Sequence, residues 1–287
     1  MRPPASLSVA APAPTPGRRG ALLGAAAALL AGSARAAGAA QAVGLPAAPG
    51  RDGAAPARGA GGMGVLFLGD SLAQGLYLSM VRSLRGHSGL RLVNATKHAT
   101  GLTRSDQYDW VAASREAVQK NSPDLVLVWI GANDFRPLVD RERRLRADFG
   151  TTAFVEGYLA RVEAIAGLGT GNHGGDGPVL AWIGLPNMRD RRFAEAAEQL
   201  NQLQEAGARQ QGAVWVPSWD LTSDANGEFL VSVAGPDRAE YRLRADDGVH
   251  FSDIGYRMMA RRTLGVVAAE RPEMAGALSV AIGELEA

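Results

Sequence analysis

Hydrophobic positions gather in five short runs, separated by longer segments of mixed character. The runs are residues 65–68, 90–93, 125–130, 179–183 and 213–216, each rich in Val, Leu, Ile or Trp and without sustained polar alternation, Arg91 being the one charged residue among them. Uninterrupted apolar runs of this length predict strands buried on both faces, as in a parallel sheet. Helical segments are predicted between them, at about 73–84, 105–119, 152–165 and 191–210, with a last one at 252–268. Within 105–119, Trp110, Val111, Ser114 and Val118 fall on one face, with charged residues opposite. In the last segment Ile254, Met258, Met259, Arg262 and Val266 do not share one face, so the pattern predicts a helix without its orientation.

Strand alternating with helix predicts a doubly wound α/β layer fold with right-handed crossovers. In such sheets the chemistry gathers at the carboxyl ends of the strands. That edge holds Ser71, just after the first strand, and Gly131-Ala-Asn-Asp134, just after the third. Residues 227–244 carry two strand-like runs around Gly235-Pro236 and read as a β-hairpin inserted before the last helix, close enough to line the site.

The N-terminal residues read differently. Arg18-Arg19 precedes an apolar run ending at Leu30, and Ala34-Arg-Ala36 follows. This is the pattern of an export signal over residues 1–36. The run falls short of the ~20 apolar residues of a membrane span, so no stable span is expected in the mature chain. The paired arginines suit the twin-arginine route. Gly17 stands where that route has Ser or Thr, so the general secretory route remains open. Either places the protein in the periplasm or outside the cell. Residues 37–62 are mostly Ala, Gly and Pro, a linker composition that cannot bury a core. The folded domain is therefore placed at 63–287.

Composition narrows the chemistry. Of the 287 residues 46% are hydrophobic, enough for a substantial core. Thirty basic against 29 acidic residues argue against a nucleic-acid partner. There is no cysteine, so disulfides and thiolate metal sites are excluded.

A serine nucleophile needs a base, a group that orients the base, and donors for the oxyanion that forms. The four histidines are His87, His98, His173 and His250. His87 and His173 lie in turn or loop segments without a carboxylate at a telling spacing. His250 follows Asp247 by three residues in Asp247-Gly-Val-His250. In a tight turn that spacing lets the carboxylate reach Nδ1 and leaves Nε2 free to face Ser71. Gly248 permits the backbone angles such a turn requires. The competing reading is that Asp247 or Ser252 caps the helix and His250 belongs to the cap. Candidate oxyanion donors are the Asn133 amide, the Gly101 N–H and the Ser71 N–H at a helix start. Asn133 also fits a turn, and Gly101 a plain loop.

These blocks resemble the SGNH hydrolase superfamily, the GDSL esterases. Gly69-Asp-Ser-Leu72 is similar to its first block, Gly131-Ala-Asn-Asp134 to its third and Asp247-Gly-Val-His250 to its fifth; Gly101 is the match for the glycine of the second. Three such blocks in family order make the signal specific, and the likeness covers about residues 65–264. It implies a three-layer αβα, flavodoxin-like sheet of five parallel strands, with no metal and no cofactor. It assigns Ser71, His250 and Asp247 as nucleophile, base and acid, and Ser71, Gly101 and Asn133 as the oxyanion hole.

The expected activity is that of an exported esterase removing O-acyl groups, O-acetyl first among them, from a cell-envelope glycan or a small ester. Transfer of the acyl group to a sugar hydroxyl would use the same triad. A non-catalytic glycan-binding module on the same scaffold would not need all three residues. Residues 135–149, rich in arginine, read as a solvated helix face rather than a substrate contact. Trp182, Trp215 and Trp219 read as core, and Trp110 fits either use.

Overall fold

The computed structural model describes residues 62–86, 89–140, 144–169, 177–234 and 239–285. The expected export signal and all but the last residue of the expected linker lie outside these, as do His87 and His173.

Five strands build the central sheet: β1 Met63–Gly69, β2 Leu90–Thr96, β3 Leu125–Trp129, and, numbered along the chain, β6 Val179–Ile183 and β7 Val214–Val216. They pair in the order β2-β1-β3-β6-β7, every pair parallel. All five coincide with the apolar runs. β1 and β3 are central, and their residues from Val65 and Leu125 onward are buried, as unbroken hydrophobicity requires. Helix α1 Ser71–Ser83 packs with α5 Asp253–Glu270, and α5 in turn with α6 Pro272–Glu284. Helices α2 Trp110–Asn121, α3 Thr152–Ala166 and α4 Arg191–Gln210 form the second group. The result is the flavodoxin-like three-layer arrangement.

Each of the first five helices starts on a side chain that takes an orphan N–H. The caps are Asp70, Asp109, Thr151, Asp190 and Ser252. A cap of this kind contributes about 1 kcal/mol. Asp109 also explains a shorter α2 than the sequence pattern suggests. Its carboxylate accepts from Val111 and Ala112, so the helix begins at Trp110 rather than Ser105. Residues 105–108 are instead turned back, with the N–H groups of Gln107 and Tyr108 both donating to the Arg104 carbonyl.

Two further departures concern the insert and the C-terminus. Residues 135–149 hold an antiparallel pair rather than a helix: β4 Leu138–Asp140 and β5 Leu145–Ala147. The reason is alternation. The register partners Leu138 and Ala147 are both buried, whereas Val139 opposite Arg146 is not. In α5 the buried stripe is Tyr256, Met259, Ala260, Thr263, Leu264 and Val267, which includes only one of the five residues considered from the pattern. A sixth helix then follows, begun by Pro272. The inserted hairpin stands before α5, as β8 Ser232–Ala234 and β9 Glu240–Arg242, antiparallel; its expected turn at Gly235-Pro236 lies outside the described residues.

Trp182 and Trp215 are buried and Trp219 half-buried. Trp110 is core too, and its Nε1 donates to Thr100 Oγ1 at 3.1 Å, beneath the loop that carries Gly101. No helix among the described residues is long and apolar enough to cross a membrane.

Candidate active site

In this strand order the direction of winding reverses between β1 and β3, and the crevice lies outside their carboxyl ends. Ser71 is the first residue of α1, immediately beyond β1. Asn133 lies four residues beyond Trp129, the end of β3. The segment 96–104 rises from β2 beside them, and the turn 245–250 covers the crevice from the far side.

Ser71, His250 and Asp247 come together in one chain of contacts. Ser71 Oγ is 2.7 Å from His250 Nε2, and His250 Nδ1 is 2.6 Å from Asp247 Oδ2. Asp247 does two things at once. Its Oδ1 accepts from the N–H groups of Val249 and His250, at 2.8 and 2.9 Å, which closes the turn. Its Oδ2 holds the imidazole. The competing helix cap is made by Ser252, whose Oγ accepts from Gly255 N, so Asp247 is free of that duty. Gly248 sits at φ +72°, the left-handed conformation the turn demands. Partial burial works to raise the Asp247 pKa. The bond to His250 and the two N–H groups outweigh it and hold the carboxyl down, at about 2. Asp247 is therefore an anion at neutral pH, fit to stabilise an imidazolium.

The serine is aimed by Asp70, which is wholly buried. Asp70 Oδ1 caps α1 through Leu72 N at 2.9 Å. Oδ2 accepts from Gly131 N and Ala132 N, both at 3.0 Å. One carboxylate thus ties the turn of Ser71 to the loop after β3. Burial pushes its pKa up to about 6 against the N–H groups of Leu72 and Gly131, and the nearby Asp134 charge adds to the rise. The cap takes the Leu72 N–H and not that of Ser71, so the first N–H of the helix still points outward from the N-terminus.

The loop that carries Gly101 is organised by Asp134, for which no role was expected. It is fully buried. Its Oδ2 accepts from Leu102 N and Tyr158 Oη, and its Oδ1 from Thr103 N and Thr103 Oγ1, at 2.8–3.1 Å. Gln204 continues the network, donating to Tyr158 Oη and to the Ile130 carbonyl and accepting from Trp182 Nε1. Burial, together with the Asp134 charge, raises the Tyr158 pKa well above its ordinary range, so it stays a neutral donor. Arg161 completes the support through the Leu102 carbonyl and Ser105 Oγ. Asn133 Nδ2 donates one N–H to the Thr100 carbonyl at 2.9 Å, which orients the amide beside Gly101 and leaves a second N–H. Thr100, Gly101 and Asn133 share the wall of a small open pocket with Arg104, Gln107, Tyr108 and Arg136.

His98 is exposed, away from any such constellation. Among the described residues, no group of three or more His, Asp or Glu is placed to hold a metal ion. Asp70 and Asp134 stood within quoted motifs. Tyr158, Gln204 and Arg161 carried no signal, because these partners are 22 to 74 residues away in sequence.

Fold and site together define a flavodoxin-like α/β protein with a Ser-His-Asp array at the switch point of its sheet. The chain belongs to the family DUF459, described as a protein of unknown function, whose model matches residues 64–265. No curated protein matches its sequence significantly. Solved structures similar to it include an α/β hydrolase enzyme from the metagenome of Lake Arreo, Spain, 16% identical, with a TM-score of 0.49 over 73% of this chain and 96% of that one. Another is an acetyl xylan esterase from Geobacillus stearothermophilus, 17% identical, with a TM-score of 0.48 over 72% and 94%. A third is a GDSL-like lipase from Bacteroides thetaiotaomicron, 16% identical, with a TM-score of 0.47 over 72% and 88%.

Proposed function

We propose that the protein is an exported serine esterase that removes O-acyl groups, foremost O-acetyl, from a cell-envelope glycan. The observation that carries this reading is the pair of contacts on His250, 2.7 Å to Ser71 Oγ and 2.6 Å to Asp247 Oδ2. A neutral imidazole held by a carboxylate on one nitrogen is a base on the other.

In this reading Ser71 Oγ attacks the ester carbonyl carbon while its proton passes to His250 Nε2. The carbonyl electrons move onto oxygen, where the N–H groups of Ser71 and Gly101 and the Asn133 amide receive the charge. Collapse breaks the bond to the alcohol, which takes the proton from His250 and leaves. Water, deprotonated by the same nitrogen, then attacks the acyl-serine; the bond to Ser71 Oγ breaks, the acid leaves, and Ser71 Oγ takes the proton back from His250. Asp247 remains ionised throughout, consistent with its depressed pKa.

The glycan substrate and the location rest on the sequence: an export signal over residues 1–36 and an Ala/Gly/Pro-rich tether that would let the domain reach along the envelope. The test is hydrolysis of an activated acetate ester, with fluorophosphonate labelling, in the parent and in Ser71→Ala. Loss of both in the variant is expected; equal behaviour of the two proteins overturns the assignment. Release of acetate from an O-acetylated envelope polysaccharide, rather than its accumulation on an acceptor, tests hydrolysis against transfer.

A further inference from the structure

Arg244, at the base of the inserted hairpin, is 0% exposed. A buried guanidinium costs several kcal/mol unless its donors are met, and an apolar residue would often serve the fold as well. Its hydrogen-bond partners are all backbone carbonyls. Nη1 donates to Asn187 O at 2.6 Å, and Nη2 to Val249 O at 2.8 Å with a longer approach to Gly248 O at 3.5 Å. Nε reaches His250 O at 3.3 Å. The guanidinium carbon lies 4.8 Å from the ring centre of Phe229 and 4.5 Å from that of Phe251. Burial draws its pKa down to about 10, with the Asp247 charge working against the fall, so it is a cation at neutral pH.

The partners form a pattern. The turn that carries His250 has its N–H groups at 249 and 250 gathered by the Asp247 carboxylate. The carbonyls of 248, 249 and 250 face the guanidinium. Two opposite charges thus grip the two polar sides of the same turn. The Asn187 contact then hooks the turn to the segment after β6, where Asn187 itself is held by Thr222 Oγ1, Ser223 Oγ and the Gly227 carbonyl.

We propose that Arg244 is a positioning residue for the reaction: its fork fixes the backbone at 248–250 and thereby sets the His250 imidazole between Asp247 and Ser71. This rests on the triad reading above. Lysine cannot substitute, because a point charge on a flexible stem does not reach several carbonyls from one plane.

The test compares Arg244→Lys and Arg244→Met with the parent. Both are expected to lower kcat on an activated acetate ester by ~10- to 100-fold, the scale of a displaced catalytic group. KM is expected to stay within about threefold, because ground-state binding is untouched. Fluorophosphonate labelling of Ser71 should slow in parallel. The low-field proton NMR signal of the His250 Nδ1–H bonded to Asp247 should shift or broaden in both. That signal needs no turnover. If the parent proves to have no esterase activity, the function proposed above fails, and an altered signal still upholds the role of Arg244. A folded Arg244→Met with parental kcat and an unmoved low-field proton overturns the proposal. If that variant does not fold, Arg244→Lys with parental kcat and signal overturns it equally.

Discussion

The Asp134 carboxylate occupies the space that a side chain on Gly101 would need. A Cβ built on Gly101 would stand 2.2 Å from Asp134 Oδ1. Two of the expected site motifs therefore meet at an atomic contact. The glycine is required there by the buried carboxylate that holds the next two N–H groups, of Leu102 and Thr103.

Gly101→Ala should accordingly push the 100–103 segment off Asp134. Overpacking of this kind costs ~1–3 kcal/mol. Urea unfolding at neutral pH is expected to show a loss in that range, together with a lower kcat. A variant as stable as the parent would mean that the segment yields without strain.

Asn133→Ala removes one oxyanion donor and leaves Ser71, His250 and Asp247 in place. The expected effect is a fall in kcat of roughly 10²–10³, the cost of one such donor, with little change in KM. Steady-state kinetics on an activated acetate ester decides it; a parental kcat would remove Asn133 from the hole.

Asp247→Asn keeps the shape and changes the hydrogen bond. An amide N–H facing His250 Nδ1 would force the proton onto Nε2, where it can no longer accept from Ser71. A drop of ~10³–10⁴ in kcat is expected, as for other triads. The 51% exposure of the Asp247 side chain makes recovery through an ordered water the alternative outcome, visible as a loss under tenfold.

Asp70 predicts a pH effect on stability. Burial raises its folded-state pKa to about 6 from an ordinary 3.8. Between these values the folded chain keeps a proton that the unfolded chain has lost. The contribution of Asp70 to stability therefore falls as pH rises through that window and stays lower above it. Asp70→Asn is neutral throughout. The Tm of the variant minus that of the parent is expected to increase from acid to neutral pH in calorimetry; a difference independent of pH would contradict the raised pKa.

Much of the fold is legible along the chain, because a strand buried on both faces has nowhere to place a polar residue. The runs in β1, β3 and β6 announce themselves for that reason. Helix starts were less legible, since Ser105 and Asp109 are both good caps and only the fold of 104–108 decides between them. The insert misled because a count of its arginines says nothing about register; what makes it a hairpin is Leu138 opposite Ala147, both against the core.

At the site, the sequence by itself singled out Ser71, Asp247 and His250, the residues that meet in one chain of contacts. Asp247 and His250 are three residues apart, and a turn of that size can only bring them together. Ser71 follows a buried strand and begins a helix, and local chemistry places it at the sheet edge. Tertiary structure alone decided the rest. It set Ser71 against His250 across 179 positions of sequence. It buried Asp70 and Asp134 as knots between loops, and enclosed Arg244 among carbonyls drawn from two segments. The physical reason is the range of the interactions. Apolar periodicity and capping are settled within a few residues, whereas a buried charge is settled only by whichever distant N–H or C=O groups the finished fold turns toward it.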